Sequence, residues 1–381
     1  MAHLRVAFLL TVAPVYWHPL LSEMTRHVSH LRLFTAGWSH YAKGLENAFE
    51  VEVVGARKVF SLNPKQKGYG SGIMYLSPLI LQSLARFQPN IIFADGFCIW
   101  TVLVLLCKTW QRWKVIIVYD GSSPNVDFRN NKFRLLLRRN MARHADGWIT
   151  NTHSGHSYLV EVLGVPNQKV SVQPYLVPDL GAMLKGEIPD FPSITSAQPI
   201  FLIIGQLIPR KGLAELLESC ALLLNAGHSN FKVWIIGKGW QKNDLITLGI
   251  EKGLESQLCW LGNVEHQQLG YFLRKADIFI FPTLEDVWGM AVPEAMIFGK
   301  PILCSKWAGS AELVVEGENG YHFDPNQPQQ LATLMGDCIN APEKVFQMGL
   351  KSQQIMENHK VEKSAIFLTE LAMNIINPKT I

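Results

Sequence analysis

Residues 281–302 read FPTLEDVWGMAVPEAMIFGKPI. Phe281 closes an apolar run, and an acidic loop and a second apolar segment follow it. The first run predicts a strand that ends at Phe281, and the second segment predicts a short helix from Pro293 to about Phe298, stopped by Gly299. Proline in the first turn of a helix and glycine just past its end are typical boundaries. A strand, a loop and a helix in this order are typical of an α/β sheet, which binds ligands beyond the carboxyl ends of its strands.

The same alternation of short apolar runs and helix-length segments extends in both directions from this stretch. Most of the runs are continuously apolar, which is typical of strands covered by helices on both faces of a parallel sheet. The sequence therefore predicts an α/β protein with two doubly wound, Rossmann-like domains. We predict strands at 4–10, 51–54, 91–94, 115–119, 147–151, 170–173, 200–205, 231–237, 258–262, 277–282, 301–305 and 320–324. Helix-like segments in the first half lie near 20–48, 73–87, 97–109, 130–144 and 154–163.

The length of 381 residues is too great for one ordinary domain, and two domains of similar size are expected. Residues 177–199 hold four prolines and few periodic apolar positions, which is typical of a connection between domains. We therefore place the domain boundaries at 1–180, 181–199 for the linker, 200–355, and 356–381 for a last helix.

Composition and charge narrow the class of protein. Apolar residues make up 48% of the chain and charged residues 17%, which indicates a folded globular protein. The net charge of +4 is far from the basic excess of nucleic-acid-binding proteins, so no nucleic acid is expected as a partner. The six cysteines are scattered without a C-x-x-C pair, as in proteins of a reducing compartment. No apolar run approaches the length of about 18 residues that spans a bilayer, and a cytoplasmic protein without a transmembrane helix is expected.

Glu294 is the first candidate binding residue. It lies in the first turn of the short predicted helix, where unpaired N–H groups make a positive end that keeps a carboxylate ionised. Such a carboxylate can accept hydrogen bonds from two neighbouring hydroxyls, as in the diol of a ribose. The consecutive amides of Gly289, Met290 and Ala291 could donate to sugar or phosphate oxygens, because glycine lets the backbone approach a ligand closely. The alternative for Glu294 is an ordinary acidic helix cap.

The second candidate segment is IIGQLIPRKGLAELL, residues 203–217. A buried strand ends near Gly205, a loop carries Arg210 and Lys211, and a helix follows. Cations beside a helix start, at the carboxyl end of a strand, suit a diphosphate. The alternative is a pair of solvated loop cations.

Together, these two segments resemble the retaining family 4 glycosyltransferases, which have the GT-B fold. The spacing from Asp286 to Glu294, with Trp288 and Gly289 between them, resembles the E-x7-E segment of that family. The resemblance implies that Glu294 holds the nucleotide ribose and that Asp286, one methylene shorter than the family's glutamate, contacts the transferred sugar. Lys211 matches the family's phosphate-binding lysine.

Further positions follow from the same resemblance. Gln206 replaces the family's phosphate-binding arginine, and Arg210 would supply the missing charge. Asn263 and Val264 occupy the family's base-contacting position. Asp120 follows a strand where many members have a histidine beside the reaction centre. A turn aspartate is the favoured interpretation of Asp120, and a hydrogen bond to the donor sugar or to the acceptor is the alternative.

The resemblance also implies an arrangement of domains. Residues 1–180 would bind the acceptor and 200–355 the nucleotide sugar, with the two domains facing each other across a cleft. Residues 356–381 would form a helix that crosses back to the first domain. The acceptor would be a glycan or a lipid-linked glycan. The basic, amphipathic segment 129–144 would either rest on anionic lipid at the inner face of a membrane or form a solvated basic surface.

The reaction expected from the resemblance is transfer of a sugar from a nucleotide-diphosphate sugar to an acceptor hydroxyl with retained anomeric configuration. Lys211 and Arg210 would neutralise the leaving diphosphate. No metal or other cofactor is expected, because the chain has no Asp-x-Asp pair or histidine cluster. One alternative is an inactive sugar-nucleotide-binding partner of another transferase, and a second is an epimerase of the same fold. A nicotinamide oxidoreductase is disfavoured, because the third glycine of a dinucleotide fingerprint is missing after Gly237 and Gly239.

Overall fold

A computed structural model describes residues 4–61, 72–192 and 198–378. The chain divides into two compact units. Of the described residues, the first unit contains those up to Val177 and those from His359 onward, and the second contains Pro178 to Asn358. The described part of the predicted linker is therefore grouped with the second unit.

The strands of both units are short and mostly buried. They are β1 (Arg5–Leu10), β2 (His30–Thr35), β3 (Glu50–Val53), β4 (Lys58–Ser61), β5 (Gly72–Tyr75), β6 (Ile91–Asp95), β7 (Lys114–Tyr119), β8 (Gly147–Thr150), β9 (Val170–Val172), β10 (Ile200–Ile204), β11 (Lys232–Ile236), β12 (Leu258–Gly262), β13 (Ile278–Phe281), β14 (Ile302–Ser305) and β15 (Gly320–Phe323). The twelve strands predicted from the sequence are confirmed, each to within one or two residues.

Helices connect most of these strands. They are α1 (His18–Met24), α2 (Ile80–Phe87), α3 (Ile99–Gln111), α4 (Pro124–Asp127), α5 (Lys132–His144), α6 (His153–Ser157), α7 (Leu213–Asn225), α8 (Lys242–Glu251), α9 (Leu269–Lys275), α10 (Ala291–Ile297), α11 (Pro328–Asn340), α12 (Pro342–Met356) and α13 (Val361–Ile376). In the part of the chain that the structure describes, none of them is long and apolar enough to cross a bilayer.

The first unit is built on a seven-stranded parallel sheet with the order β3-β2-β1-β6-β7-β8-β9. Its central strands are buried on both faces because helices cover both, as their continuous apolar sequences predict. Trp100, Trp148 and Tyr158 are the largest fully buried side chains of one hydrophobic cluster in this unit. Helix α13 packs against α1, so the end of the chain completes this unit.

The second unit contains a six-stranded parallel sheet with the order β12-β11-β10-β13-β14-β15. The first strand of the unit, β10, lies between β11 and β13, so the chain builds outward from β10 in both directions. The connections that leave β10 and β13 therefore diverge at their carboxyl ends. In doubly wound sheets this divergence creates the crevice that binds a ligand.

Two predictions of local structure are wrong. The helix predicted near 20–48 contains only α1, and it is followed by strand β2, whose residues Leu31, Leu33 and Phe34 are buried. The helix predicted near 73–87 begins only at Ile80, after strand β5. In both places a short helix and a strand follow each other so closely that their apolar residues resemble one long helical pattern.

Candidate active site at the carboxyl ends of β10 and β13

Two loops of the second unit meet at the point where β10 and β13 diverge. The loop after β10 contains a short 3-10 turn, Pro209–Lys211, and ends at Gly212, whose φ is +68°. A Cβ atom added to Gly212 would lie 1.9 Å from the carbonyl oxygen of Pro282, in the loop after β13. The loops are also joined by hydrogen bonds from the Leu284 amide (2.8 Å) and the Thr283 hydroxyl (3.0 Å) to the carbonyl oxygen of Arg210. Glycine at this turn is therefore what allows the two loops to touch.

The contact between the loops brings three charged side chains together. The Lys211 ammonium forms an ion pair with Oδ2 of Asp286, and one guanidinium nitrogen of Arg210 lies 3.2 Å from the same oxygen. That nitrogen also donates a 2.8 Å hydrogen bond to the carbonyl oxygen of Glu285. Asp286 is only 5% exposed, and Arg210 is also buried. Residues that the sequence suggested as separate ligands of a phosphate and a sugar thus form one cluster, named here the Asp286 cluster.

Burial is the main influence on the cation of this cluster. It lowers the pKa of Lys211, the nearby charge of Asp286 opposes that shift, and the charge of Arg210 adds to it. The aliphatic stem of Lys211 lies along Gly205, whose added Cβ would be 3.8 Å from Cδ of the lysine. The ammonium lies 5.0 Å from the centre of the Phe281 ring. Packing along its stem and the charge of Asp286 therefore together fix the orientation of the Lys211 side chain.

Gly289 lies in the loop between β13 and α10 and is closely packed. Its φ is +95°, and an added Cβ would lie 2.7 Å from the Phe281 ring and 3.0 Å from the Ser310 hydroxyl. Phe281 and Ser310 therefore pack closely against the Gly289 backbone, and the approach to a ligand that the sequence suggests there stays a prediction. Met290 and Ala291 follow at the start of α10, which begins two residues before the predicted start at Pro293.

A third loop, which follows β14, was not identified from the sequence. Amide hydrogen bonds join Gly309 to the carbonyl oxygen of Asp286 (3.0 Å) and Ser310 to that of Trp288 (2.7 Å). Ser310 is fully buried, and its hydroxyl has no hydrogen-bond partner among the described residues. A buried polar atom without a partner carries a free-energy cost, which is typical of a site that receives a ligand. The sequence offered only a short Ala-Gly-Ser turn as a signal.

Glu294 lies in the first turn of α10 and is 4% exposed. Its Oε1 lies 3.0 Å from Nε2 of His266, in the 3-10 turn that precedes α9. Burial alone would lower the pKa of His266, but the hydrogen bond to Glu294 and the charges of Glu294 and Asp179 raise it above its ordinary value. Glu294 therefore belongs to a polar pair, not to an isolated helix cap. The sequence did not single out His266.

The remaining donor-site predictions lie on the same edge of the second sheet. Gln206 is exposed in the loop after β10, and Trp288 is buried beneath the loop after β13. Asn263 is exposed and Val264 is half-buried in the turn after β12, two residues before His266. These positions all follow the carboxyl ends of parallel strands.

Asp120 lies in the first unit, after β7. Its Oδ1 accepts a 2.6 Å hydrogen bond from the Tyr175 hydroxyl, and its carbonyl oxygen accepts one of 3.1 Å from the side-chain amide of Asn151. The side-chain oxygen of Asn151 accepts a 3.0 Å hydrogen bond from the backbone N–H of Tyr175. Burial and the charge of Asp120 raise the pKa of Tyr175 well above its ordinary value, so its hydroxyl stays protonated and donates. Asp120 thus holds the segment around Tyr175, shortly before the chain passes into the second unit after Val177.

Among the described residues, no group of three or more His, Cys, Asp or Glu side chains could hold a metal ion. The independence from metals that the sequence suggested stays a prediction.

Both halves of the chain match models of glycosyltransferase families. Residues 185–355 match the family Glycosyl transferases group 1, and residues 14–178 match Glycosyltransferase Family 4. A D-inositol 3-phosphate glycosyltransferase of Nocardia farcinica is 23% identical over 64% of this chain and 58% of its own length. An O-antigen chain mannosyltransferase B of Escherichia coli is 32% identical over 33% of this chain and 32% of its own length. The matched stretches thus span less than two thirds of these relatives.

Solved structures confirm the predicted fold. The crystal structure of HepE from Anabaena in complex with UDP-glucose is similar to this chain with a TM-score of 0.74. The likeness covers 97% of this chain and 99% of HepE, at 19% sequence identity. The fold is therefore GT-B, with two Rossmann-like sheets.

Proposed function

We propose that this chain, a glycosyltransferase of the GT-B type, moves a sugar from a nucleotide-diphosphate sugar to an acceptor hydroxyl with retention of the anomeric configuration. The observation that carries the proposal is the Asp286 cluster, in which Lys211 and Arg210 lie together at the carboxyl ends of β10 and β13. The proposed acceptor is a growing polysaccharide or a glycolipid, in line with the O-antigen transferase among its relatives.

The donor's diphosphate would bind to the two cations of the cluster. Both are largely removed from water, and charge pairing gains strength where the dielectric is low. Arg210 has a second hydrogen bond to the backbone, so it keeps its position when its anionic partner changes. The unpartnered Ser310 hydroxyl and the amides from Gly289 to Ala291 would add neutral donors on the other side of the phosphates.

Glu294 would bind the nucleotide ribose. Its carboxylate has two oxygens, and the structure uses Oε1 for His266. The hydrogen bond to His266 fixes the orientation of the carboxylate, so its remaining lone pairs can accept hydroxyl hydrogens in a defined direction. Asn263 and Val264 lie in the turn that carries His266, and we assign them to the base.

In this reaction Lys211 and Arg210 would neutralise the charge on the leaving diphosphate. Electrostatic stabilisation of this kind is worth about 3–4 kcal/mol for a single well-placed donor. Retention through front-face transfer would let the leaving phosphate take the proton of the acceptor hydroxyl, so no protein nucleophile is required. Asp286 would contact the sugar once the diphosphate has taken over its cations. UDP-glucose, the ligand of HepE, is the first donor to test.

The second candidate is an inactive partner that binds a nucleotide sugar without transferring it. It is favoured by one observation, the neutral Gln206 where the resembling family has an arginine, which leaves the diphosphate one cation fewer in the loop after β10.

Release of UDP from UDP-glucose without an acceptor separates the two candidates. For an active transferase we expect slow release, which falls about 100-fold in Lys211→Met because charge on the leaving phosphate is no longer neutralised. Lys306→Met is the matched control, since Lys306 pairs with Asp324 at 2.9 Å and is about half exposed. Binding of UDP-glucose without release in the wild type would support the inactive partner. Failure to bind any nucleotide sugar would overturn both.

A further inference from the structure

Helix α3 of the first unit exposes an apolar stripe. Ile99, Leu106 and Trp110 are exposed, Trp110 to 85%, and their spacing places them on one face of the helix. The opposite face, with Trp100 and Val104, is fully buried in the core. A surface helix normally turns polar residues outward, so α3 has an outer face that suits a second apolar surface.

Helix α5, next to α3, continues this surface. Phe133 is 76% exposed, and Leu136 and Leu137 on the same face are also exposed. The two helices contact each other, and Lys108 of α3 donates a 2.7 Å hydrogen bond to the carbonyl oxygen of His144 at the end of α5. We name the combined surface the α3–α5 face; its apolar members are Ile99, Leu106, Trp110, Phe133, Leu136 and Leu137.

Cations surround the α3–α5 face. Lys132, Arg139 and Arg143 are exposed on α5, and Arg112 is exposed directly after α3. Lys108 is excluded from this group because Asp146 pairs with it at 2.5 Å. Neither helix contains an aspartate or a glutamate. The apolar surface is therefore bordered by positive charge with no acidic residue in either helix to offset it.

We propose that the α3–α5 face docks on the surface of a bilayer that contains anionic phospholipid. Apolar side chains that enter the interface and cations that meet the headgroups are the two contributions that hold a peripheral protein on such a surface. Trp110 suits the interface because its ring is apolar and its N–H is polar. A second copy of the chain is a poorer occupant, because a symmetric contact would place the cations of both copies opposite each other.

Flotation with lipid vesicles tests the proposal without any assay of sugar transfer. The wild type is mixed with vesicles of phosphatidylcholine alone and of equimolar phosphatidylcholine and phosphatidylglycerol, at low and at high salt. We expect binding to the anionic vesicles, weakened by salt because the charges are screened, and little binding to the neutral ones.

Two sets of variants separate the apolar and the charged contributions. Phe133→Ser combined with Leu136→Gln should lower the partition coefficient about 100-fold, since two large apolar side chains no longer enter the interface. Lys132→Gln combined with Arg143→Gln should lower it about 25-fold, at about fivefold for each cation. Phe346→Ser and Lys242→Gln are matched controls on exposed helices of the second unit, and Phe346 is 62% exposed. Both controls should bind as the wild type does.

Three results would overturn the proposal. The first is failure of the wild type to float with anionic vesicles. The second is equal loss of binding in Phe346→Ser. The third is a concentration-dependent dimer in sedimentation velocity that Phe133→Ser abolishes, because the face would then be an interface between copies. Unchanged circular dichroism and melting temperature in every variant ensure that a loss of binding reflects the surface and not the fold.

Discussion

Asp286→Asn tests whether the Asp286 cluster is held together by charge. The substitution keeps the size of the side chain but leaves Lys211 and Arg210 without their shared carboxylate. At 3.2 Å and an effective dielectric constant near 20, the attraction between Arg210 and Asp286 alone is about 5 kcal/mol. Removing one partner of a buried ion pair costs about 3–5 kcal/mol in stability, which is the expected loss in the free energy of unfolding.

Differential scanning calorimetry of the variant provides the measurement. The second unit spans Pro178 to Asn358, and in domains of about this size 1 kcal/mol shifts the melting temperature by about 2–4 °C, so a decrease of about 10 °C is expected. UDP should then raise the melting temperature of the variant by more than that of the wild type. Its diphosphate supplies the anion that the variant lacks, whereas in the wild type it must displace Asp286.

Glu318→Gln is the matched control for this experiment. Glu318 pairs with Lys351 at 3.0 Å, but both side chains are well exposed, so the loss should stay within about 0.5 kcal/mol. A decrease of less than about 2 °C in Asp286→Asn would show that the cations do not depend on the carboxylate. A UDP-induced shift equal to or smaller than that of the wild type would refute the idea that diphosphate and Asp286 share the same cations.

Two further predictions concern the walls of the site. In His266→Gln, the loss of stability should be greatest below pH 6.5 and should shrink as the pH rises through the raised pKa of His266, because a raised pKa stabilises the fold only while the group is protonated. Thermal melts of wild type and variant across pH 5–9 measure this difference in stability. A difference that does not change with pH would contradict the prediction. Gly289→Ala should lower the free energy of unfolding by about 3 kcal/mol and weaken UDP binding, because φ is +95° and the new Cβ meets Phe281. The control Gly253→Ala, where φ is +67° and nothing lies within 4 Å of the new Cβ, should cost only about 1 kcal/mol. Equal losses of stability in the two variants would show that the contact with Phe281 is unimportant.

The parallel sheets could be predicted because their strands carry one simple signal. A strand buried on both faces is a continuous apolar run, and β1, β7 and β10 all have this character. Strand β2 lacks it, because the exposed His30 and the half-buried Arg32 interrupt its apolar residues. Its apolar residues then match a helical period as well as an extended one, and the local sequence could not decide between them.

The sequence suggested the residues of the candidate site but not the contacts between them. Lys211 and Asp286 are separated by 75 positions, and only the pairing of β10 with β13 brings their loops together. The sequence therefore suggested two independent ligands, whereas the structure shows that they neutralise each other. His266 and Ser310 were missed for a related reason, because a single histidine or serine in a turn acquires a role only from the distant residue that it faces.

The pairing within the Asp286 cluster also explains why an aspartate suits this position. The carboxylate lies almost completely buried, within reach of two cations and beneath the loop after β14. A glutamate would add one methylene to a packed position, and overpacking of this kind costs about 1–3 kcal/mol unless the neighbouring loops move. The shorter acid holds both cations in place, and in the proposed function the incoming diphosphate would offer them a stronger anion. Under the proposed function, the diphosphate would take over the cations of Asp286, so donor binding would release a carboxylate beside the sugar.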